Sequence, residues 1–139
     1  MGRLKSLANH APVIFSVHFT PGEMVDKQVF TADRDYEILS ITEVHVAAGN
    51  ASSTMDVEKC ASGTAPASGT DVVDAAFLLD STDDTPVEKN RSNGGILTLP
   101  TALLAKSDSL AVDITGTVTN YEGVVTIVLK PHRPAKETY

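Results

Sequence analysis

Ser109-Leu-Ala-Val-Asp-Ile-Thr-Gly-Thr-Val-Thr-Asn-Tyr-Glu-Gly-Val-Val-Thr-Ile-Val-Leu-Lys-Pro131 carries the clearest fold signal in the chain. Leu110, Val112 and Ile114 alternate with Ala111, Asp113 and Thr115. Beyond the turn-rich Thr119-Asn-Tyr-Glu-Gly123, a second run puts Val125, Ile127 and Leu129 on one face. Successive side chains of a strand point to opposite faces, so each run has one face to bury. Two such runs around a short turn predict a closing antiparallel hairpin, with Asp113 and Thr115 on its outward face.

The same cadence recurs upstream. Val13–Phe19 alternates, with Val13, Phe15, Val17 and Phe19 on one side and Ile14, Ser16 and His18 on the other. Strands are predicted at Val25–Thr31, Tyr36–Ala47 and Thr54–Cys60. In Tyr36–Ala47 the apolar residues change phase, from Ile38 to Leu39 and Ile41, then Val44 and Val46. A bulge near Thr42 or Glu43, or burial of both faces, would reconcile them. Asp71–Leu79 reads as a strand, Pro86–Lys89 as another, and Ile96–Pro100 as a short one. Asn93-Gly94 is a turn signal, and Thr101 can cap a helical turn over Ala102–Ala105. The sum is an all-β chain of about eight strands, an antiparallel β-sandwich. Three segments are expected: an extended N-terminal arm over 1–12, a β-sandwich domain over 13–131 and a C-terminal tail over 132–139.

The chain has 139 residues, enough for one domain. It has no Trp, four Phe and three Tyr, so its core must be aliphatic. That composition favours thin sheets over a deep aromatic ligand pocket. Eighteen acidic against 11 basic residues give a net charge of −7, which disfavours nucleic acid and anionic membranes as partners. Arg3 and Lys5 lie near one end, and Lys130, His132, Arg133 and Lys136 near the other. Asp71, Asp74, Asp80, Asp83 and Asp84 crowd the middle. Basic ends on an acidic body suggest tails that dock on an acidic partner or a neighbouring subunit. Cys60 is the only cysteine, so no intrachain disulfide can form. Residues 1–20 lack the apolar core of a secretory leader, and a cytoplasmic site of folding is expected.

No catalytic signature interrupts the strands. Gly63-Thr-Ala-Pro-Ala-Ser-Gly-Thr70 lacks the lysine and spacing of a phosphate-binding loop. Asp80, Thr82 and Asp84 have the first spacing of a calcium loop, but Thr85 and Arg91 stand where glycine and glutamate are needed. His10, His18, His45 and His132 form no zinc-type pair. His18 and His45 could meet Glu43 across a sheet, although a histidine on a strand's polar face is usually a surface residue. Ser62 and Ser68 lack a nucleophile elbow, and Cys60 reads as an inert thiol. Asn50-Ala-Ser52 and Asn90-Arg-Ser92 match a glycosylation sequon, read as chance in the absence of a leader. The expectation is a protein that is not an enzyme and binds no cofactor or metal.

Four segments carry a family resemblance: Gln28-Val-Phe-Thr-Ala32 with Tyr36-Glu-Ile-Leu-Ser-Ile-Thr-Glu-Val-His45; Met55-Asp-Val-Glu-Lys-Cys60 leading into Gly63–Thr70; Leu97-Thr-Leu99 to Leu110-Ala-Val-Asp-Ile-Thr-Gly-Thr117; and Val124–Leu129. Over about residues 25–130 the chain resembles the head decoration, or cement, proteins of tailed bacteriophages. The resemblance implies a jelly-roll-like sandwich bound to the capsid outside, commonly as a homotrimer, reinforcing joints between major capsid protein subunits. The virion is then the implied location, after assembly in the host cytoplasm. With the charge pattern, it nominates Arg3, Lys5, Leu7, His132, Arg133 and Lys136 as candidate capsid or subunit contacts. The competing reading is a β-sandwich binding module for host-surface glycans or proteins. Such sites use exposed aromatics, here limited to Tyr36, Tyr121 and Tyr139.

Overall fold

The computed structural model describes residues 11–132. Ten strands succeed one another: β1 (Val13–Phe19), β2 (Lys27–Thr31), β3 (Tyr36–Ala47), β4 (Thr54–Cys60), β5 (Thr70–Asp71), β6 (Phe77–Leu78), β7 (Val87–Asn90), β8 (Leu103–Leu104), β9 (Ser109–Thr115) and β10 (Glu122–Pro131). They form two antiparallel five-stranded sheets. The first has the order β1-β10-β3-β7, with β8 beside β3; the second has β2-β9-β4-β5, with β6 beside β4. The pairs β1·β10, β2·β9, β3·β7 and β4·β5 nest inside one another along the chain. A chain folded back on itself in this way and then rolled, so that β10 meets β3 and β9 meets β4, is a jelly roll.

That topology corrects the expected closing hairpin. β9 and β10 do not pair: β9 lies between β2 and β4, and β10 lies between β1 and β3 in the other sheet. The link from Gly116 to Tyr121 crosses the sandwich rather than turning within a sheet. Alternation states which face of each strand is buried, and that part holds, since Leu110 and Val112 are buried and Thr115 is exposed. It carries no information about which neighbour supplies the hydrogen bonds.

The phase change in β3 is met by bulges at other positions than Thr42 or Glu43. Val128 pairs with Ser40 and Leu129 with Ile38, leaving Leu39 as the extra residue; Glu122 pairs with Ala47 and Gly123 with His45, leaving Val46 extra. Each bulge flips the face of the residues beyond it. Tyr36 and Ile38, then Ile41, Glu43 and His45, therefore all point inward. Asp71–Leu79 is not one strand but β5, a single bridge from Val73 to Ile96, and β6. Ile96–Pro100 keeps only that bridge. The helical turn expected over Ala102–Ala105 is replaced by β8, because Leu103 and Leu104 pair with Glu37 and Tyr36. These segments are too short for local preference to outweigh pairing with a sheet already in place.

The core lies between the sheets. Ile38, Ile41, Val125, Ile127 and Leu129 of the first sheet meet Met55, Val57, Leu110 and Val112 of the second. Full burial of each such side chain contributes about 1.5–3 kcal/mol. Phe15 of β1 stacks on Phe30 of β2 with ring centroids 4.9 Å apart, closing one open side of the sandwich.

Candidate functional site

The inward turn of Glu43 and His45 puts an ionisable pair in the core. Both side chains are fully buried, with His45 Nδ1 2.7 Å from Glu43 Oε1. His45 Nε2 donates to the Ser81 carbonyl oxygen at 3.0 Å. The Tyr121 hydroxyl donates to the same Glu43 Oε1 at 2.8 Å. A carbonyl only accepts, so Nε2 carries a hydrogen, and one further proton must lie between Nδ1 and the carboxylate. Burial opposes charge on His45, but the Ser81 carbonyl, the Glu43 hydrogen bond and the charges of Glu43 and Asp83 outweigh it. The imidazole pKa therefore lies above its ordinary value. Burial, then the hydrogen bond and charge of Glu43, push the Tyr121 phenol far above its usual range.

Local sequence explains how Tyr121 reaches Glu43. It precedes β10, and its ring lies over Gly123. A β-carbon at residue 123 would stand 2.7 Å from Tyr121 Cζ and 2.7 Å from the Val44 carbonyl oxygen. Only glycine fits so close an approach. The network has the members of an acid–base site but no opening, since no solute reaches fully buried side chains. Its chemistry is to hold a proton and to fix β3 against the start of β10 and the 80–84 loop, where the Asp84 amide donates to the His45 carbonyl at 2.7 Å. The surface placement expected for His45 is thus corrected. The signal was present as Glu43-x-His45, two residues apart on one face of a strand, and as Tyr121-x-Gly123. The bulge at Leu39 that decides which face is inside was not legible.

The outer faces of the two sheets differ in charge over their central strands. On the first sheet, three cross-strand rows run Ile14–Val128–Ser40, Ser16–Thr126–Thr42 and His18–Val124–Val44. These nine residues include no Asp, Glu, Lys or Arg. Ile14 is 67% exposed, and Val46, beside the third row, is 59% exposed. Next to them a shallow hollow of about 240 Å³ is lined by His18, Thr20, Val44, Val46, Glu122 and Val124, among others. On the second sheet, Asp56 stands directly opposite Asp113. Burial and the charges of Asp71, Asp113 and Glu58 raise the Asp56 pKa. Burial and the charges of Asp26 and Asp71 raise that of Asp113.

Of the candidate contacts, Arg3, Lys5, Leu7, Arg133 and Lys136 lie outside the described residues. His132 is half-buried at the end of β10, where its amide donates to the Asp35 carbonyl at 2.9 Å and its Nδ1 lies 3.7 Å from Glu37 Oε2. Val13 pairs with Leu129, so the described chain enters and leaves the sandwich at one corner of the first sheet.

The remaining candidates are tied to the body of the fold. Asp80 Oδ2 accepts from the Ser52 amide at 2.7 Å, and Asp83 faces His45. Among the described residues, no three His, Cys, Asp or Glu side chains converge as a metal-holding group. Cys60 is buried beneath the 61–70 loop, next to Glu58, which accepts from the Ala67 amide. Tyr36 and Tyr121 are buried, not exposed as the glycan reading requires.

No family model matches this chain. No curated protein matches it either. Among solved structures it is similar to a chain of the cyanophage Pam1 capsid asymmetric unit, with 12% sequence identity, 88% of this chain and 82% of that chain covered, and a TM-score of 0.41.

Proposed function

We propose that this protein is a non-catalytic structural component of a phage virion, added to the outer surface of the capsid at joints between major capsid protein subunits. The reading joins the motif resemblance to one observation, the segregation of charge between the two outer faces. The face built from β1, β10 and β3 carries nine residues without a formal charge. The other carries Asp56 and Asp113 side by side. Covering an uncharged, β-branched face costs little desolvation, whereas covering close carboxylates costs much. The outer face of β1, β10 and β3 is then the one laid on the capsid, and the face with Asp56 and Asp113 is the one left to solvent. Arg3, Lys5, Arg133 and Lys136, near the two ends of the sequence, are further candidate contacts with the capsid.

Addition of purified protein to capsids that lack it tests this. Saturable, stoichiometric binding is expected, weakened at least tenfold by the pair Ile14→Asp and Val46→Asp, as for loss of about 1.4 kcal/mol or more. Deletion of residues 1–11 is expected to weaken attachment while leaving the domain folded. Asp113→Asn is expected to leave binding intact. Attachment unchanged by both the deletion and the double variant would sink the proposal. Of the three tyrosines on which the glycan reading rests, Tyr36 and Tyr121 are buried, and Tyr139 lies outside the described residues.

A further inference from the structure

Every open sheet edge presents unpaired backbone N–H and C=O groups, and proteins blunt such edges with charge, proline, bulges or short length. Three of the four edges here are blunted. β7 is four residues long and carries Glu88 and Lys89. β5 and β6 are two residues each. β2 carries Lys27 and a bulge at Val29, where the pairing steps from Gln28–Ala111 to Phe30–Leu110. β1 has none of these devices. Its seven residues, Val-Ile-Phe-Ser-Val-His-Phe, contain no Asp, Glu, Lys, Arg, Pro or Gly. Its register with β10 runs unbroken from Val13–Leu129 to Phe19–Gly123. Among the described residues nothing pairs with its other edge. Val13, Phe15 and Val17 face the core yet are only half-buried.

We propose that the edge of β1 left unpaired among the described residues is an interface for a second copy of this chain, the two β1 strands pairing antiparallel about a two-fold axis at Ser16. The strand is complementary to itself in that register. Ser16 meets Ser16 of the second copy, Ile14 meets His18, Phe15 meets Val17, and Val13 meets Phe19. No pair sets like formal charges together, although each copy carries −7 overall. Burial against the second strand completes the cover of Phe15 and Val17. It also brings the uncharged rows of β1, β10 and β3 in the two copies side by side on one continuous sheet surface. A seven-residue edge buries less than the ~1,200–2,000 Å² of a stable interface, so the pairing is weak in free solution. Copies held close together pair more strongly through their raised effective concentration. This two-fold pairing is distinct from the trimer implied by the family resemblance.

Cysteine cross-linking in the otherwise native full chain tests the register. Cα atoms opposed in an antiparallel pair lie about 4.5–5.5 Å apart, within reach of a disulfide. Cys60 is buried and does not compete. Under mild oxidant, Ser16→Cys is expected to form cross-linked dimers about tenfold faster than the exposed control Ser92→Cys, reflecting its raised local concentration. Sedimentation at rising concentration should show a monomer–dimer equilibrium, abolished by Ser16→Glu, which sets two carboxylates face to face. Circular dichroism should show Ser16→Glu folded, since Ser16 is exposed. Equal cross-linking rates for Ser16→Cys and Ser92→Cys, a strictly monomeric or trimeric native chain, or dimers that survive Ser16→Glu would each overturn the proposal. Loss of capsid binding would not, so the two readings fail separately.

Discussion

The ring of Tyr121 occupies the space over Gly123 that any side chain at residue 123 would need, and from there its hydroxyl reaches Glu43. The Gly123→Ala change is therefore expected to displace the ring and break its bond to the carboxylate. Overpacking costs about 1–3 kcal/mol, and loss of a hydrogen bond to a charged group about 1.5–3 kcal/mol. Chemical denaturation should show Gly123→Ala and Tyr121→Phe each destabilising. The double variant should lose less than the sum, because both remove the same contact.

The buried pair makes stability depend on pH in a definite direction. The folded pKa of His45 is raised, so its contribution is complete below the unfolded value of about 6.5 and is lost as pH rises through the folded value. Urea midpoints should fall on the alkaline side of neutrality. Glu43→Gln should remove most of that slope and cost about 3–5 kcal/mol at pH 6, as expected when one partner of a buried pair is lost. A flat profile in the native chain would show that the pair does not hold its proton as described.

On the opposite face, Asp56 and Asp113 act against folding at neutral pH. Their pKa values are raised in the folded state, so the penalty appears as pH climbs from the unfolded value of about 3.9 through the folded ones. Asp113→Asn should raise the melting temperature at pH 7, by relief of about 0.2–1 kcal/mol typical of a cross-strand pair. The gain should vanish near pH 3, where both carboxyls are protonated in either state.

Cys60 supplies a probe of opening. Burial, then the charge and hydrogen bond of Glu58 and the charge of Asp108, raises its thiol pKa. Alkylation needs an accessible thiolate. The folded chain should resist iodoacetamide and react promptly in denaturant. Removal of the Glu58 bond to the Ala67 amide by Glu58→Met, which keeps the length of the side chain but has no oxygen to accept, should speed the native reaction by loosening the 61–70 loop.

Much of the fold could be taken from alternation alone. Val13–Phe19, Tyr36–Ala47 and Thr54–Cys60 are strands with the bounds that the pattern predicts, and Asp113 and Thr115 lie on the outward face. A period of two is a property of one strand and is written in its own residues. Pairing is not: Ser109–Thr115 and Glu122–Pro131 are separated by six residues yet belong to different sheets. What joins Val13 to Leu129, or Lys27 to Val112, is the nesting of the whole chain, which no local window contains.

The candidate site divides in the same way. Residue type and local order suffice for the all-β class, the acidic balance and the uncharged character of Val13–Phe19, and all three can be read before any contact is known. Three features came only with the packed fold: the bulge at Leu39 that turns Glu43 and His45 inward, the passage of Tyr121 over Gly123 to meet them, and the edge of β1 left unpaired among the described residues. Each depends on a register or a neighbour supplied by residues distant in the chain, and the physics of a single strand cannot choose between its two faces once a bulge is allowed.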